Sequence, residues 1–94
     1  MDKGAAAHRG VARMRLAMVQ LEQKKYDEAL KTLDGNDDAG FTALAADLRG
    51  DVMFAQGRVD EARAAYRLAI EKSDARNPVK NLAQTKLNAI GGGQ

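Results

Sequence analysis

The chain has 94 residues, no cysteine, and 15 Lys and Arg against 13 Asp and Glu, which gives a formal net charge of +2. This length suits one small domain, the lack of cysteine excludes disulfides and cysteine-based metal sites, and the small charge surplus argues only weakly for nucleic-acid binding. Aromatic residues make up 4% of the chain, so its core must consist of Ala, Leu, Val and Met, which favours packed helices over β-sheet.

No part of the sequence is predicted to cross a membrane. No apolar run approaches the ~18 residues that a spanning helix needs. Residues 1–4 lack the apolar stretch of a signal peptide. From the sequence alone we therefore expect a soluble segment, in which residues 1–4 are a disordered or vector-derived start.

The first helix is predicted over residues 5–22. Apolar residues recur there at steps of three and four in two neighbouring lines, as expected for a helix with a wide buried face. We therefore expect this helix to lie between neighbouring helices. The first line is Val11, Met14, Met18 and Leu21, and the second is Ala12, Leu16 and Val19.

The second helix is predicted from Tyr26 to Leu33. Asp27 and Glu28 stand in its first turn, where the helix dipole favours negative charge. Gly35 is expected to end the helix in the left-handed conformation.

An acidic loop follows, in which Asp37 or Asp38 is the expected cap of the next helix. The alternation of Asp34, Asn36 and Asp38 is similar to the start of a calcium-binding loop. Residue 45, where that loop needs a bidentate glutamate, is alanine. We therefore predict no metal site here.

The third helix is predicted from Gly40 to Gln56 and the fourth from Val59 to Ser73. Gly50 lies inside the third helix, where glycine costs ~1 kcal/mol relative to alanine, so we expect it to permit a close helix crossing. Asp60 and Glu61 begin the fourth helix with negative charge, as in the second.

A fifth helix is predicted over residues 78–90, with Asn77 as its cap and Pro78 in its first turn. It has one apolar line and a polar outer face, which suits a terminal capping helix. Residues 91–94 are expected to form a flexible tail. The apolar line consists of Val79, Leu82, Ala83, Leu87 and Ile90.

One phrase occurs twice: Asp27-Glu28-Ala29 returns as Asp60-Glu61-Ala62, and the small residues Ala17 and Gly50 are separated by the same interval. With its glycine turn and its aromatic residue, the segment 48–70 resembles a tetratricopeptide repeat, whose period is about 34 residues. The positions that match are Gly50, Gly57, Ala62, Tyr66 and Ala69.

The resemblance implies an all-α, tetratricopeptide-like α-α superhelix over residues 5–90. It would contain repeat one at about 10–35, repeat two at about 40–73 and a capping helix at about 78–90. The first copy departs from the pattern at Leu33, which replaces the aromatic residue. Arg13, Gln20 and Arg49 stand where the family usually has apolar residues.

A narrower resemblance covers most of the chain. Residues 13–17, the Leu-Arg-Gly-Asp stretch at 48–51, and the Asn77-Pro78 helix with Lys86-Leu87-Asn88 are similar to the C-terminal part of the YfgM family. This resemblance implies a periplasmic domain of a bacterial inner-membrane protein whose anchor is absent from this sequence. It also implies partners, namely the Sec translocon and a membrane-anchored periplasmic chaperone of the peptidyl-prolyl isomerase type.

No combination of residues points to catalysis. His8 is the only histidine and Ser73 the only serine, and they stand far apart in the sequence. The glycines at 91–93 precede no helix, so they are not a phosphate-binding loop. We predict a non-enzymatic protein without cofactor or metal.

We predict instead a groove lined by the first helix of each repeat, as in stacked helical hairpins that bind other proteins. Asp47 and Asp51 are like charges one turn apart, which a basic partner or a neighbouring arginine would offset. Such a groove would repel a C-terminal carboxylate. The alternative is that Met14 and Met18 pack inside the molecule, against upstream helices or under the fifth helix. The predicted groove residues are Met14, Arg15, Met18, Leu21, Leu44, Asp47, Asp51 and Phe54.

Other hypotheses fit the sequence. The chain could be a tetratricopeptide adaptor of another bacterial assembly, or a small basic helical domain that binds nucleic acid. It could also self-associate through an exposed face of the first helix, or cover that face with its amino-terminal arm. The basic residues that favour nucleic acid are Arg9, Arg13, Arg15, Lys24, Lys25 and Lys31.

Overall fold

The computed structural model describes residues 3–91 of the chain, with side chains from residue 8 onward. These residues form five α-helices and one short 3-10 helix, and there is no strand between residues 3 and 91, which confirms the all-α class. The helices are α1 (Lys3–Glu22), α2 (Tyr26–Asp34), α3 (Thr42–Ala55), α4 (Val59–Lys72) and α5 (Pro78–Ala89), with the 3-10 helix at Ala39–Phe41.

The helices pack as two antiparallel hairpins and a fifth helix. α1 pairs with α2, α3 pairs with α4, and α5 packs on α4. α3 also contacts α1 and α5, and it contacts α2 as well. We describe α1, α3 and α5 as the layer of first helices, because α1 and α3 each begin a hairpin and α5 follows the second hairpin. The helices α2 and α4 form the other layer. We call the surface of the first layer the first-helix face.

The two hairpin turns have the same backbone structure. Lys24 and Gly57, which are one repeat period apart, both have positive φ, of 62° and 79°. The amide of the following residue then bonds back to the helix that ends there, from Lys25 to the Gln20 carbonyl and from Arg58 to that of Met53, each at 2.8 Å. These are Schellman-type helix ends, so the repeat extends to the backbone of the turn.

Burial follows the same period. Ala29 and Ala62, the alanines of the repeated phrase, are fully buried, and so are the small residues Ala17 and Gly50 in the first helix of each hairpin. Two apolar clusters result, and Leu30 contacts both. The cluster of the first hairpin contains Met14, Ala17, Ala29, Leu33, Leu48 and Val52, and that of the second contains Ala46, Met53, Ala62, Tyr66, Ala69, Ala83 and Leu87.

Gly50 allows the close helix crossing that was expected. A Cβ atom at residue 50 would lie 2.6 Å from Cδ1 of Tyr66, which is closer than two unbonded carbon atoms can approach. The ring of Tyr66 on α4 therefore occupies the space that a side chain at residue 50 would need.

The start of α5 is as predicted. The Asn77 side chain accepts a hydrogen bond from the Val79 amide at 3.0 Å, and Pro78 is the first helical residue. After the helix ends, Gly91 has a φ of 78°, close to that of Gly57 at the end of α3. α5 therefore ends with the same backbone conformation as the first helices α1 and α3.

Several boundaries differ from the prediction. α1 already begins at Lys3, within the predicted disordered start, whereas residues 1, 2 and 92–94 lie outside the described part of the chain. Gly35 has a φ of −76° and so is not left-handed. Asp38 caps the 3-10 helix through a 2.8 Å bond from the Gly40 amide, and this extra turn delays α3 to Thr42.

The polar residues at usually apolar repeat positions all have polar neighbours. Arg49 pairs with Asp34, and the Thr32 hydroxyl donates to the Gln20 side chain at 2.6 Å. Arg13 lies 3.6 Å from Asp37, so acids offset part of the basic cluster in the first third of the chain. Between residues 3 and 91, no helix has the length and apolar character needed to traverse a lipid bilayer.

The complete burial of Ala62 leads to a stability prediction. Ala62→Leu should lower the free energy of unfolding by about 1–3 kcal/mol, because the added methyl groups have no space in the fully buried site. Urea unfolding followed by circular dichroism measures the change. Ala64→Leu is the matched control, since residue 64 is exposed on the same helix, and should change stability by less than about 0.5 kcal/mol. An unchanged unfolding midpoint for Ala62→Leu would contradict this packing.

Candidate partner-binding face

The predicted groove residues do not all reach the surface. Met18 and Phe54 are 42% and 48% exposed, and Arg15 is exposed as well. Leu21, Leu44 and Asp51 are partly buried. The accessible part of the first-helix face is therefore smaller than predicted but contains apolar side chains from both α1 and α3.

Two of the predicted residues are inaccessible. Met14 is 1% exposed and packs in the core of the first hairpin with Ala17, Leu33 and Val52. Asp47 is also 1% exposed. The prediction that these two side chains line a groove is corrected: Met14 belongs to the core between α1, α2 and α3, and Asp47 to a buried ionic cluster.

The neighbour of the two acids is a lysine from the fifth helix. Nζ of Lys86 donates to Oδ2 of Asp47 at 2.8 Å and to Oδ2 of Asp51 at 3.0 Å. The sequence pattern had indicated a basic partner or an arginine. The ammonium group of Lys86 supplies much of this positive charge from within the chain and connects α5 to α3.

Tyr66 completes this cluster. Its hydroxyl donates to Oδ1 of Asp51 at 2.6 Å, and Nζ of Lys86 lies 5.8 Å from the centre of its ring. Burial raises the pKa of the Tyr66 hydroxyl, and the hydrogen bond and charge of Asp51 raise it further. The tyrosine is thus a neutral donor at any physiological pH. We call Asp47, Asp51, Tyr66 and Lys86 the ionic cluster.

Burial also affects the charged members. It raises the pKa of Asp47, and the hydrogen bond from Lys86 only partly opposes it. Burial by itself would lower the pKa of Lys86, but hydrogen bonds to Asp47 and Asp51 outweigh it, so the pKa of Lys86 is raised. Two carboxylates thus share one ammonium group, and no donor among residues 8–91 reaches Oδ1 of Asp47.

An open pocket of about 310 Å³ lies on the first-helix face beside the ionic cluster. Its lining combines carboxylate and ammonium groups with apolar side chains. The residues are Asp51 and Phe54 of α3, Tyr66 of α4, and Lys86, Ala89 and Ile90 at the end of α5.

The acidic loop is organised by hydrogen bonds. Asn36 donates to the Asp38 carbonyl at 3.0 Å, while Asp34 pairs with Arg49. Across the described residues, no three His, Asp or Glu side chains are grouped so that they could hold a metal ion.

Comparison with known proteins places this arrangement in a family. A family model described as a tetratricopeptide repeat-like domain matches residues 1–92. The chain belongs to this family. The match confirms the resemblance predicted from residues 48–70, and the helical hairpins of residues 3–91 agree with it.

Two curated relatives of this tetratricopeptide repeat-like domain are named "Ancillary SecYEG translocon subunit". The chain is 39% identical over 82 residues to the one from Escherichia coli (strain K12), covering 87% of this chain and 39% of that protein. It is 40% identical over 80 residues to the one from Neisseria gonorrhoeae (strain ATCC 700825 / FA 1090), covering 85% and 38%. The chain therefore spans about two fifths of the length of these relatives. No solved structure matches it.

Tyr66, Lys86 and Ile90 were not predicted as residues of this tetratricopeptide face. The sequence could have indicated that Lys86 is partly buried. Residues 83, 86, 87 and 90 are spaced as one helix face, and all of them except Lys86 are apolar. A lone lysine on a buried face needs an acid nearby. Asp47 and Asp51 were the acids that the sequence left without a partner.

The ionic cluster gives a pH-dependent prediction. Lys86→Met should lower the free energy of unfolding by about 3 kcal/mol at pH 7, because it leaves the Asp47 carboxylate buried without its counterion. The loss should shrink as the pH falls toward 4. Asp47 has a raised folded-state pKa, so it is penalised when ionised, and protonation at low pH removes that penalty.

Urea unfolding at pH 7 and at pH 4 measures both effects. Lys80→Met is the control, since residue 80 is exposed on the same helix, and its effect should stay below about 0.5 kcal/mol at both pH values. If Lys86→Met were as mild as Lys80→Met, or equally destabilising at both pH values, this role of Lys86 would be excluded.

Proposed function

We propose that this chain is a non-enzymatic protein-interaction domain that acts as an accessory factor at the bacterial Sec translocon. The observation that carries the proposal is its identity of 39–40% to ancillary SecYEG translocon subunits over 85–87% of its own length. The first-helix face supplies a surface for the role, with the exposed side chains of Arg15, Met18 and Phe54.

The finer parts of the proposal concern place and partners. We propose that the domain lies on the periplasmic side of the inner membrane and cooperates there with a membrane-anchored chaperone of the isomerase type. A surface with exposed Met18 and Phe54 suits this work, because methionine and aromatic side chains adapt to varied apolar segments. A tetratricopeptide adaptor of a different bacterial assembly would have similar geometry, so partner recovery must separate the two.

Site-specific crosslinking in cells tests the proposal. The protein in cells would carry a photoreactive phenylalanine analogue at Phe54, and in a second variant at Glu71 as an exposed control on α4. We expect the probe at residue 54 to capture translocon subunits or a periplasmic isomerase-type chaperone, and the probe at 71 to capture little. Recovery of neither class of protein would refute the translocon assignment. Equal capture at both residues would refute the first-helix face as the binding surface.

We also propose that α1 pairs with a second copy of the chain. Leu16 and Val19 are 49% and 45% exposed on α1. Val52 occupies the place of Val19 one period later, and it is buried against α2. The stacking face that α3 buries is thus bare on α1, and a bare apolar stripe favours association. An amino-terminal arm folded over the stripe is the alternative.

Sedimentation equilibrium tests this pairing. Val19→Glu should keep the chain monomeric at concentrations at which the unchanged chain associates, because pairing would bury the new charge. Leu68→Glu is the control, since Leu68 is exposed on α4, far from this stripe in sequence, and it should leave association unchanged. A strictly monomeric unchanged chain at high concentration would contradict self-association.

A further inference from the structure

The ionic cluster beside the pocket has an unbalanced charge. Asp47 and Asp51 carry two negative charges when ionised, and the single ammonium of Lys86 lies against both. One negative charge therefore remains in excess. Oδ1 of the buried Asp47 accepts no hydrogen bond from any described residue, so the chain itself leaves part of this acceptor capacity unused.

Asp51 is the acid of the ionic cluster that reaches the pocket, where Lys86 is its neighbour. Its side chain is 24% exposed and lines the pocket, whereas Asp47 lies behind it at 1%. Each of its oxygens accepts one hydrogen bond, from Tyr66 and from Lys86. A carboxylate has about four acceptor positions, so Asp51 can accept further hydrogen bonds from a group that enters the pocket.

The walls suit a long side chain with an apolar stem. Phe54 is 48% exposed at the edge of the pocket, and Ala89 and Ile90 at the end of α5 line the same space. Cationic side chains lay their methylene groups along such surfaces, and a guanidinium also stacks on an aromatic ring. At about 310 Å³, the pocket has room for one such side chain.

We propose that this pocket binds an arginine side chain of the partner protein, with the guanidinium donating to Asp51 and stacking on Phe54. The partner segment is apolar next to its arginine, which matches Ala89 and Ile90 on one side of the pocket. The inference rests on the proposed protein-binding function and names the side chain that the first-helix face selects. Arginine is favoured over lysine because its planar group can stack and donate at once.

A pair of matched peptides tests the proposal by nuclear magnetic resonance. The probes are acetyl-Leu-Arg-Leu-amide and the same peptide with citrulline, which keeps the shape of arginine without its charge. We expect the arginine peptide to shift the signals of Phe54 and Ile90 saturably, with an affinity about tenfold higher than that of the citrulline peptide. Equal binding of both peptides, or no shift with either, would overturn the proposal.

Substitutions in the pocket test which residues bind the arginine peptide. Asp51→Asn should weaken the arginine peptide about tenfold and bring it level with the citrulline peptide. Glu71→Gln is the control, because residue 71 is an exposed acid on α4 outside the pocket lining and its loss should leave binding unchanged. Because Asp51→Asn also removes an ion pair within the fold, Phe54→Ala is the second variant. It removes an exposed ring, so it should weaken the arginine peptide while leaving the unfolding midpoint unchanged. Full binding by Phe54→Ala would overturn the stacking.

The outcome separates this inference from the translocon assignment. If crosslinking from residue 54 captures translocon or chaperone proteins but the two peptides bind equally, the arginine pocket is refuted and the proposed function stands. If the arginine peptide binds selectively but no such protein is captured in cells, the pocket stands and the translocon assignment is refuted.

Discussion

The ring of Tyr66 lies where a side chain at residue 50 would begin, so α3 and α4 can pack at this distance only while residue 50 is glycine. The rest of the second hairpin depends on this contact. With the ring held there, its hydroxyl meets Asp51, and Asp51 together with Asp47 holds Lys86 of α5. A missing Cβ atom in α3 is thus connected, through two polar contacts, to the docking of the fifth helix.

The ionic cluster fixes the position of α5, but the burial of its charged groups costs some stability. An apolar pair in place of Asp47 and Lys86 would avoid the desolvation of two charges, and such replacements often stabilise proteins. The first hairpin shows the apolar solution at the same repeat position, because Met14, one period before Asp47, is equally buried. Asp47 therefore does two things that Met14 cannot do. It holds α5 in place through Lys86, and it leaves negative charge in the ionic cluster beside an open pocket.

The helices and their period could be predicted because local rules determine them. The period, the Asn77-Pro78 start and the glycine turn at Gly57 depend on spacing and backbone preference within a few residues. Gly35 shows where such a rule fails, because α2 ends there with a φ of −76°. The positive φ of the first hairpin lies instead in the turn after α1, at Lys24, which carries a side chain. Glycine makes that conformation easy, but the chain can adopt it elsewhere when the helix end requires it.

The predicted groove failed in part for a different reason. Periodicity placed Asp47 and Asp51 on one side of α3, but it could not say what covered them. Their counterion comes from Lys86, 39 and 35 residues later, and only the packing of α5 on α4 brings it there. Similarly, Met14 and Met18 are equivalent in a helical pattern. In the structure, Met14 is buried in the core of the first hairpin, whereas Met18 is exposed.

The fold and the proposed arginine pocket depend on the same carboxylate. Asp51 bonds to Tyr66 and Lys86 inside the fold and also lines the pocket. A cation that enters the pocket competes with Lys86 for the carboxylate of Asp51. It must therefore either weaken the contact that holds the end of α5 or bind to acceptor positions that Lys86 does not use. A partner that binds only the folded domain stabilises it. Each oxygen of Asp51 accepts one hydrogen bond within the fold, and the acceptor positions that remain on this carboxylate are the physical reason why a cation can bind without loosening α5.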